Sequence, residues 1–405
     1  MPSVCLYFKV HQPERLKHFS VYDISAEASP AQLQEKYFDD ERNQFYLRRV
    51  ASKCYIPTLE LLRDLIEETG GRLKVSFGVT GVLLEQLARW QPEVIELLQQ
   101  LAKTKAVEFT GETYYHSLVS LYSLVEFKEQ VREHKRLMKE LFLAEPKVFS
   151  NTELIYFDEL SQAVASLGFK AIITEGAPQL LQWRSPNFVY QTADKRLKVL
   201  LRNFKLSDDI SFRFSSRDWE GWPLTADKFA SWLETHNGSG EVIGLFMDLE
   251  TFGEHQWSET GIFEFLGSLP FEVLKRKDLD FALLSEAAQR YQPKAEFSAP
   301  YPVTWADTER DLTAWLHNQM QQEAALLVHS LEEKIKQQHA QDPNAANDYL
   351  KIWRKLQTAD HFYYMCTKWF ADGDVHKYFN PYDNPYEAYI IYRNILEDLH
   401  LRLPR

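Results

Sequence analysis

Seven short apolar runs alternate with longer stretches of helical periodicity, and this alternation most constrains the fold. The runs predict strands near residues 4–10, 73–79, 106–110, 147–150, 170–174, 198–203 and 242–248. Segments such as 56–66 and 127–142 carry apolar residues at helical spacing between them. Strand and helix alternating seven times imply a parallel sheet, either an open doubly wound sheet or a barrel.

Polar side chains follow six of the seven predicted strands. The segments after these strands are His11-Gln12-Pro13, Gly111 to His116, Asn151-Thr152-Glu153, Thr174-Glu175-Gly176, Ser207-Asp208-Asp209 and Asp248. In a (β/α) barrel the carboxyl ends of all strands meet on one face, where active sites form. An open sheet would spread the same groups along a line. The pattern therefore favours a barrel with a site at that face.

The densest acidic cluster follows the seventh predicted strand. Asp248, Glu250 and Glu254 lie within ten residues of one another, together with His255 and Trp257. Asp248 and Glu250 share a face if the strand continues, so spacing alone does not choose between them. This combination is typical of a site that cleaves sugars or holds a metal.

Glycoside hydrolysis needs two carboxyl groups, one of which protonates the leaving oxygen. Glu153 and Asp248 are the best-placed pair, and Glu112 and Asp208 are neighbours that would tune pKa values or hold sugar hydroxyls. Any one such acid is equally explained as a helix cap, but six positions together are not. We expect the pKa of Asp248, which follows an apolar strand, to be raised.

A metal site is the main alternative chemistry. His11, His116 and His255 would be its ligands together with Asp248, although no short His-to-His spacing supports it. The sequence has no Gly-x-Ser-x-Gly motif and no glycine-rich phosphate loop, so it indicates neither a serine nucleophile nor a nucleotide cofactor. The three cysteines have no metal-ligand spacing and suggest no disulfide framework.

Charge and composition bound the partners. The net charge is −12 with no basic block in the sequence, which disfavours nucleic acid and suits a neutral polymer. Aromatic residues make up 14% of the chain, so some are expected in a sugar-binding groove as well as in the core. The amino terminus resembles a first strand and no long apolar run follows, so we expect no membrane span and a cytoplasmic protein.

The sequence changes character near residue 290. A proline-rich connector at 291–302 predicts a boundary between a barrel domain, 1–290, and a helical bundle, 291–405. Apolar spacing predicts one long helix over 312–335, and two more over 344–371 and 385–400. Three such helices would pack as a bundle.

The polar segments resemble those of glycoside hydrolase family 57. Four of that family's five sequence segments are matched by His11-Gln12-Pro13, by Gly111-Glu112-Thr113, by Glu153 in Asn-Thr-Glu-Leu, and by Asp248 in Met-Asp-Leu-Glu-Thr-Phe-Gly-Glu-His. The fifth resembles the stretch from Trp305 to Leu312. The match runs in order over about 300 residues, with Leu249 as a small departure.

The resemblance is closest to the α-amylase-like group. It implies an α/β fold, an incomplete (β/α)7 TIM-like barrel followed by a C-terminal helical bundle that contributes to the substrate groove, and no metal cofactor. It also implies retaining cleavage of α-1,4-glucans or maltooligosaccharides. Glu153 would then be the nucleophile and Asp248 the general acid/base. His11, Glu112, Trp305 and Asp307 would bind sugar.

Two further residues complete the predicted site, Asp208 as a sugar-hydroxyl ligand and Trp257 as a stacking platform beside Trp305. A 4-α-glucanotransferase on the same site is the alternative activity. A metal-dependent polysaccharide deacetylase and a non-catalytic glucan-binding protein are more remote hypotheses. Oligomeric state, chain-length preference and branch preference are not predicted.

Overall fold

The structure, a computed structural model, describes residues 2–341, 347–370 and 379–403. Its strands are β1 (Ser3–Val10), β2 (Val75–Val79), β3 (Val107–Phe109), β4 (Val148–Ser150), β5 (Ala171–Glu175), β6 (Tyr190–Thr192), β7 (Lys198–Arg202), β8 (Val242–Asp248), β9 (Asp280–Phe281) and β10 (Glu296–Phe297). Each of the seven predicted strands is present, with ends shifted by at most two residues.

Helices connect and cover these strands. Those of the barrel region are α1 (Leu33–Tyr37), α2 (Asp40–Val50), α3 (Ile56–Glu68), α4 (Gly81–Trp90), α5 (Pro92–Ala102), α6 (Leu124–Phe142), α7 (Asp158–Ser166), α8 (Pro178–Leu181), α9 (Phe204–Ser211), α10 (Ala226–Glu234), α11 (Ile262–Leu274) and α12 (Leu284–Arg290). The later helices are α13 (Thr313–Leu316), α14 (Gln319–Ser330), α15 (Glu332–Gln341), α16 (Asn347–Leu356), α17 (Ala359–Tyr363) and α18 (Pro385–Arg402). No helix within the described ranges is both long and apolar enough to cross a membrane.

Seven parallel strands form a nearly closed barrel. β1 pairs with β2 and with β8, β2 pairs with β3, and β5 pairs with β4 and with β7. Two joints are thin: β3 and β4 meet through a bridge between Gly111 and Phe149, and β7 and β8 meet through one pair, Arg202 and Gly244. The expected incomplete (β/α)7 barrel is therefore confirmed.

The barrel strands are apolar because both of their faces are covered. Every residue of β1 is buried, and β8 is buried except for Asp248 at its carboxyl end. Leu6, Phe8 and Val10 pack with helices α3 to α5 in the main hydrophobic core. The polar residues proposed for the site therefore begin where the buried strands end.

The helical region forms a second hydrophobic core around Trp315, Trp353 and Tyr392. The predicted long helix over 312–335 is wrong: it is three helices, α13, α14 and α15, with breaks at His317-Asn318 and at Leu331. Asn318 caps α14 with its side chain, accepting a hydrogen bond from the Gln321 backbone N–H, and that start signal overrides the apolar spacing.

The other two predicted helices fare differently. The one predicted over 385–400 is present as α18. The one over 344–371 begins and ends outside the described residues. Within them a single helix is wrong: α16 and α17 are separated by a break at 357–358, and residues 364–370 are not helical. The boundary at 290 stays a prediction. Beyond it, β10 still pairs with β6 at the edge of the barrel sheet.

Candidate active site

A pocket lies at the carboxyl ends of the barrel strands, facing the helical region. Its empty space is about 1000 Å³, part of which is open solvent. Barrel residues that line it include Lys9, His11, Gln12, His116, Glu153, Arg202, Asp248, Glu250 and His255. Residues after the barrel that line it include Trp305, Asp307, Trp315, Asp360, Tyr363 and Phe370. A concave site with convergent polar groups and aromatic walls suits a small ligand or the end of a polymer.

Glu153 lies on a single turn directly after β4 and is nearly buried. Its backbone has a φ of 53°, in the left-handed region that a glutamate seldom adopts. His116 Nε2 contacts Glu153 Oε1 at 2.7 Å, and Trp305 Nε1 donates to Glu153 Oε2 at 2.8 Å. Both carboxylate oxygens are thus held, which fixes the group's direction toward the pocket.

Trp305 reaches Glu153 from the segment between β10 and α13, which continues the proline-rich stretch and is called the connector from here on. The Thr304 hydroxyl donates to the backbone carbonyl of Glu153 at 2.7 Å, so the two segments are also joined through the main chain. The Arg202 guanidinium lies 5.7 Å from the centre of the Trp305 ring. Hydrogen bonding and cation–π contact together fix the indole in the pocket wall.

Asp248 ends β8, and a 3-10 turn, Leu249–Thr251, follows directly. Glu250 therefore lies on the turn, where it is buried and accepts a hydrogen bond from Tyr55 Oη at 2.5 Å. Burial, together with the charge of Asp248, raises the pKa of Glu250 to about 8. We expected the raised pKa at Asp248. The raised pKa in the structure belongs to Glu250, two residues later, and the expectation for Asp248 stays a prediction.

The loop after this turn is shaped by Gly253, whose φ is 106°. A Cβ on that residue would lie 2.0 Å from the carbonyl oxygen of Lys53, so close approach of the two backbones requires glycine. The loop returns His255 to the pocket wall, whereas Glu254 pairs with Arg49.

His11, His116 and Asp360 form a compact group at the pocket floor. Their candidate ligand atoms all lie within 4.8 Å of one another, so these three residues could hold a metal. His11 Nδ1 contacts Thr80 Oγ1 at 2.9 Å and His11 Nε2 contacts Asp360 Oδ2 at 3.0 Å, while His116 Nε2 contacts Glu153. His116 Nδ1 has no hydrogen-bond partner among the described residues, but both nitrogens of His11 do. A metal bound to His11 would have to displace one of these contacts, so the group does not fit a metal well.

The metal hypothesis from the sequence named a different set. Asp360 takes the place expected for His255 and Asp248 beside the two histidines. Burial and the neighbouring His116 lower the pKa of His11 to about 3, so its imidazole is neutral at ordinary pH. Both nitrogens of this neutral ring have protein partners, so Thr80 and Asp360 fix its orientation in the pocket lining.

Asp307 also lines the pocket, as expected from the sequence. Lys368, from the segment after α17, lies 2.9 Å from Asp307 Oδ2 and 2.7 Å from Glu309. The ion pair ties the connector to the helical region at the pocket rim. Tyr363 and Phe370 stack with ring centres 5.0 Å apart and present an aromatic surface there.

Three predicted site residues lie elsewhere. Glu112 is fully buried and pairs with Lys9, which takes the position at the pocket wall. Asp208 pairs with Arg202 and lies 3.5 Å from Arg310, so Arg202 faces the pocket instead. Trp257 is 61% exposed and is not part of the pocket lining. For all three, the strand-end position alone did not fix where the side chain points.

Sequence reasoning missed Asp360, Tyr363 and the role of Arg202. The sequence-based prediction overlooked Arg202 because this residue is the last one of β7, and only the segments that follow the strands were considered. Asp360 had one signal, a carboxylate within the otherwise apolar and aromatic stretch 359–365. A buried acid in such a stretch needs a polar partner, and His11 supplies it.

Comparison with known proteins defines the class of protein. The sequence profile of glycosyl hydrolase family 57 matches residues 5–300. A protein named putative alpha-amylase from Methanocaldococcus jannaschii is 45% identical over 396 residues, 96% of this chain and 82% of the relative. An alpha-amylase from Pyrococcus furiosus is 24% identical over 268 residues, 65% of this chain and 39% of that protein. The chain therefore belongs to glycosyl hydrolase family 57 and is a glycoside hydrolase.

Solved structures agree on the fold. The 4-alpha-glucanotransferase from Thermococcus litoralis superposes with a TM-score of 0.68 at 14% identity, and the chain spans 60% of its length. The alpha-amylase AmyC from Thermotoga maritima gives a TM-score of 0.60 at 12% identity, with 91% of this chain and 89% of that one covered. At these identities the likeness establishes the architecture alone.

Proposed function

We propose that this glycoside hydrolase is an α-amylase that cleaves α-1,4-glucosidic bonds with retention of configuration. Its substrates are starch-type or glycogen-type glucans and maltooligosaccharides. One observation carries the proposal. A buried carboxylate, Glu153, is held at both oxygens in the pocket that Asp248 also lines. Retaining cleavage requires this combination of one positioned nucleophile and one acid/base.

In the first step Glu153 attacks the anomeric carbon as a carboxylate. The Trp305 N–H and His116 stabilise its charge and set its direction, so little reorganisation is needed when the bond forms. Asp248 gives a proton to the departing glycosidic oxygen. Burial and the charge of Asp248 raise the pKa of Glu250, so the two acids together hold a proton more tightly than two separate carboxyl groups would.

In the second step Asp248, now ionised, takes a proton from water, and that water releases the sugar from Glu153. The same residue therefore acts first as acid and then as base. Glu250 supports this reversal, since its burial and its charge coupling make ionisation of both acids costly.

We assign substrate binding to the pocket lining. His11, Trp305 and Asp307 keep the sugar-binding roles expected from the sequence, and Asp360 joins them. We further propose that the helical region completes the substrate groove. Trp315, Tyr363 and Phe370 support this, because they add aromatic surface opposite the strand ends.

A 4-α-glucanotransferase is the alternative on the same catalytic pair. In that reaction a sugar hydroxyl replaces water in the second step. Incubation with maltoheptaose distinguishes the two activities. We expect shorter maltooligosaccharides and matching reducing ends, and products longer than maltoheptaose would instead support the transferase.

A non-catalytic glucan-binding protein is tested by Glu153→Gln. We expect turnover to fall by several orders of magnitude while glucan binding persists, because the amide has the same shape but is a poor nucleophile. Glu93→Gln, an exposed acid on α5, is the matched control and is expected to leave turnover unchanged. Unchanged turnover in Glu153→Gln would remove Glu153 from the mechanism.

A further inference from the structure

A second groove, the basal groove, lies at the amino ends of β4, β5 and β7, at the opposite end of the barrel from the pocket. Its basic lining residues are Lys135, Lys147, Lys170, Lys195, Arg196 and Lys198, and its one acidic lining residue is Glu145. The empty space is about 1690 Å³, part of which is open solvent. Six cations and one acid are unusual in a chain of net charge −12.

The fold brings these lysines together although they are far apart in sequence. Lys147 directly precedes β4, Lys170 directly precedes β5, and Lys198 opens β7. The backbone N–H of Lys170 donates to the Lys147 carbonyl at 2.8 Å, and that of Lys198 donates to the Lys170 carbonyl at 3.1 Å. Val148 pairs with Ala171, so Lys147 and Lys170 lie side by side on neighbouring strands, about 4.8 Å apart. Lys198 itself pairs with Ala171, so it enters the groove from the next position along the sheet.

Main-chain carbonyls hold two of the lysine ammonium groups in place. Lys198 Nζ donates to the carbonyls of Ala288 at 2.6 Å and Tyr291 at 2.8 Å. Lys135 Nζ donates to the Leu167 carbonyl at 2.8 Å. An ammonium has three donors, so Lys135 keeps donors for a ligand, and the carbonyls that hold both residues supply no neutralising negative charge.

Acidic neighbours offset only some of the charge. Lys195 lies 3.2 Å from Glu296, and Arg196 lies 3.3 Å from Asp194. Glu145 is engaged by Lys139 at 3.1 Å. Within the described part of the chain, Lys147 and Lys170 form no ion pair with an acid. Like charges gathered in this way repel one another, and a bound anion would relieve that repulsion.

We propose that the basal groove binds a compact organic polyphosphate, a sugar that carries two or more phosphate groups. Phosphate groups suit several converging ammonium and guanidinium donors, and six such side chains line this groove, enough for more than one phosphate group. Gln191, Gln289, Gln292 and Ser285 also line the groove and offer partners for sugar hydroxyls. None of the described residues that line it is aromatic, which disfavours a neutral glucan.

The test is calorimetric titration of the full chain with inorganic pyrophosphate, with ADP and with glucose 1,6-bisphosphate at constant ionic strength. The two organic probes distinguish a nucleotide from a sugar bisphosphate. We expect at least one of them to bind more tightly than pyrophosphate. In the Lys147→Gln, Lys170→Gln double variant we expect affinity for that probe to fall about tenfold or more, since two charged donors to its phosphate groups are lost.

Lys103→Gln with Lys277→Gln is the matched control, since it removes the same charge from exposed lysines outside the groove. We expect that variant to bind within about twofold of the parent protein, because long-range charge is screened by salt. Three results would overturn the proposal: no binding of either organic probe at millimolar concentration, equal loss in both double variants, or binding of an oligonucleotide but not of the compact probes.

Discussion

The indole N–H of Trp305 donates to the Glu153 carboxylate at 2.8 Å, although the two residues are 152 positions apart in the chain. Glu153 belongs to the end of a barrel strand and Trp305 to the connector beyond the barrel. Their bond therefore joins the two parts of the chain at the proposed nucleophile. A residue first expected to stack on sugar has a second task, which is to orient the carboxylate.

Replacing Trp305 by Phe should lower the rate of the chemical step. The variant keeps an aromatic face but loses the N–H that donates to Glu153 Oε2. A hydrogen bond to a charged group contributes roughly 1.5–3 kcal/mol, so we expect kcat on maltoheptaose to fall about tenfold to a hundredfold.

Trp257→Phe is the control for that experiment, because Trp257 is exposed and lies outside the pocket lining. Its kcat and KM should match those of the parent enzyme. If Trp257→Phe lost as much activity as Trp305→Phe, the sequence-based role of Trp257 as a stacking platform would be restored.

Glu250→Gln should make the protein less sensitive to pH. The pKa of Glu250 is raised to about 8 from an ordinary value of 4.5, so between these values the folded state keeps a proton that the unfolded state has lost. The free energy of unfolding therefore falls as pH rises through this window, and the amide removes that contribution. Tm measured from pH 5 to pH 8 should decline less in Glu250→Gln than in the parent. An equal decline would mean that Glu250 ionises normally.

Treatment with EDTA should leave activity unchanged. In the described part of the chain, His11, His116 and Asp360 form a group that could hold a metal, but both nitrogens of His11 and one nitrogen of His116 already contact protein partners. Activity on maltoheptaose is measured after dialysis against the chelator and again after addition of Zn²⁺. Loss on chelation with recovery on Zn²⁺ would show that a metal takes part in catalysis. The deacetylase hypothesis predicts instead a metal-dependent release of acetate from acetylated polysaccharide.

Asp208→Asn should destabilise the fold far more than Asp209→Asn. Asp208 is buried beside Arg202 and Arg310, so its loss leaves Arg202 with Glu175 as its remaining acidic partner. Breaking a buried pair typically costs about 3–5 kcal/mol. Asp209 pairs with Arg213, which is 38% exposed, so we expect a loss of less than about 1 kcal/mol. Urea unfolding measures both, and equal losses would show that Asp208 is not a structural anchor.

Much of this fold follows from sequence, because buried parallel strands are apolar over their whole length and stop where polar residues begin. That pattern located all seven barrel strands, and with them Glu153 and Asp248. It could not locate side chains within the strand ends. Glu112 and Asp208 both follow barrel strands, yet each turns away from the pocket to neutralise a buried cation.

Long-range contacts set the rest of the site. Asp360 reaches His11 across 349 positions, and no local spacing predicts such a contact. The raised pKa of Glu250 likewise depends on burial by the surrounding fold and on the charge of Asp248. The sequence-based prediction missed the break between α13 and α14 because apolar spacing continues across the capping residue Asn318. The break between α14 and α15 falls at Leu331, which is itself one of the regularly spaced apolar residues.

The central claim is that Glu153 forms the covalent glycosyl-enzyme and Asp248 serves the second step. In Asp248→Asn, an α-maltosyl fluoride should still react, because fluoride leaves without a proton, whereas hydrolysis of the intermediate should be slow. Mass spectrometry of the digested protein is expected to find one maltosyl group on the peptide that contains Glu153. A sugar on another residue, or no adduct together with release of β-configured product, would contradict the account.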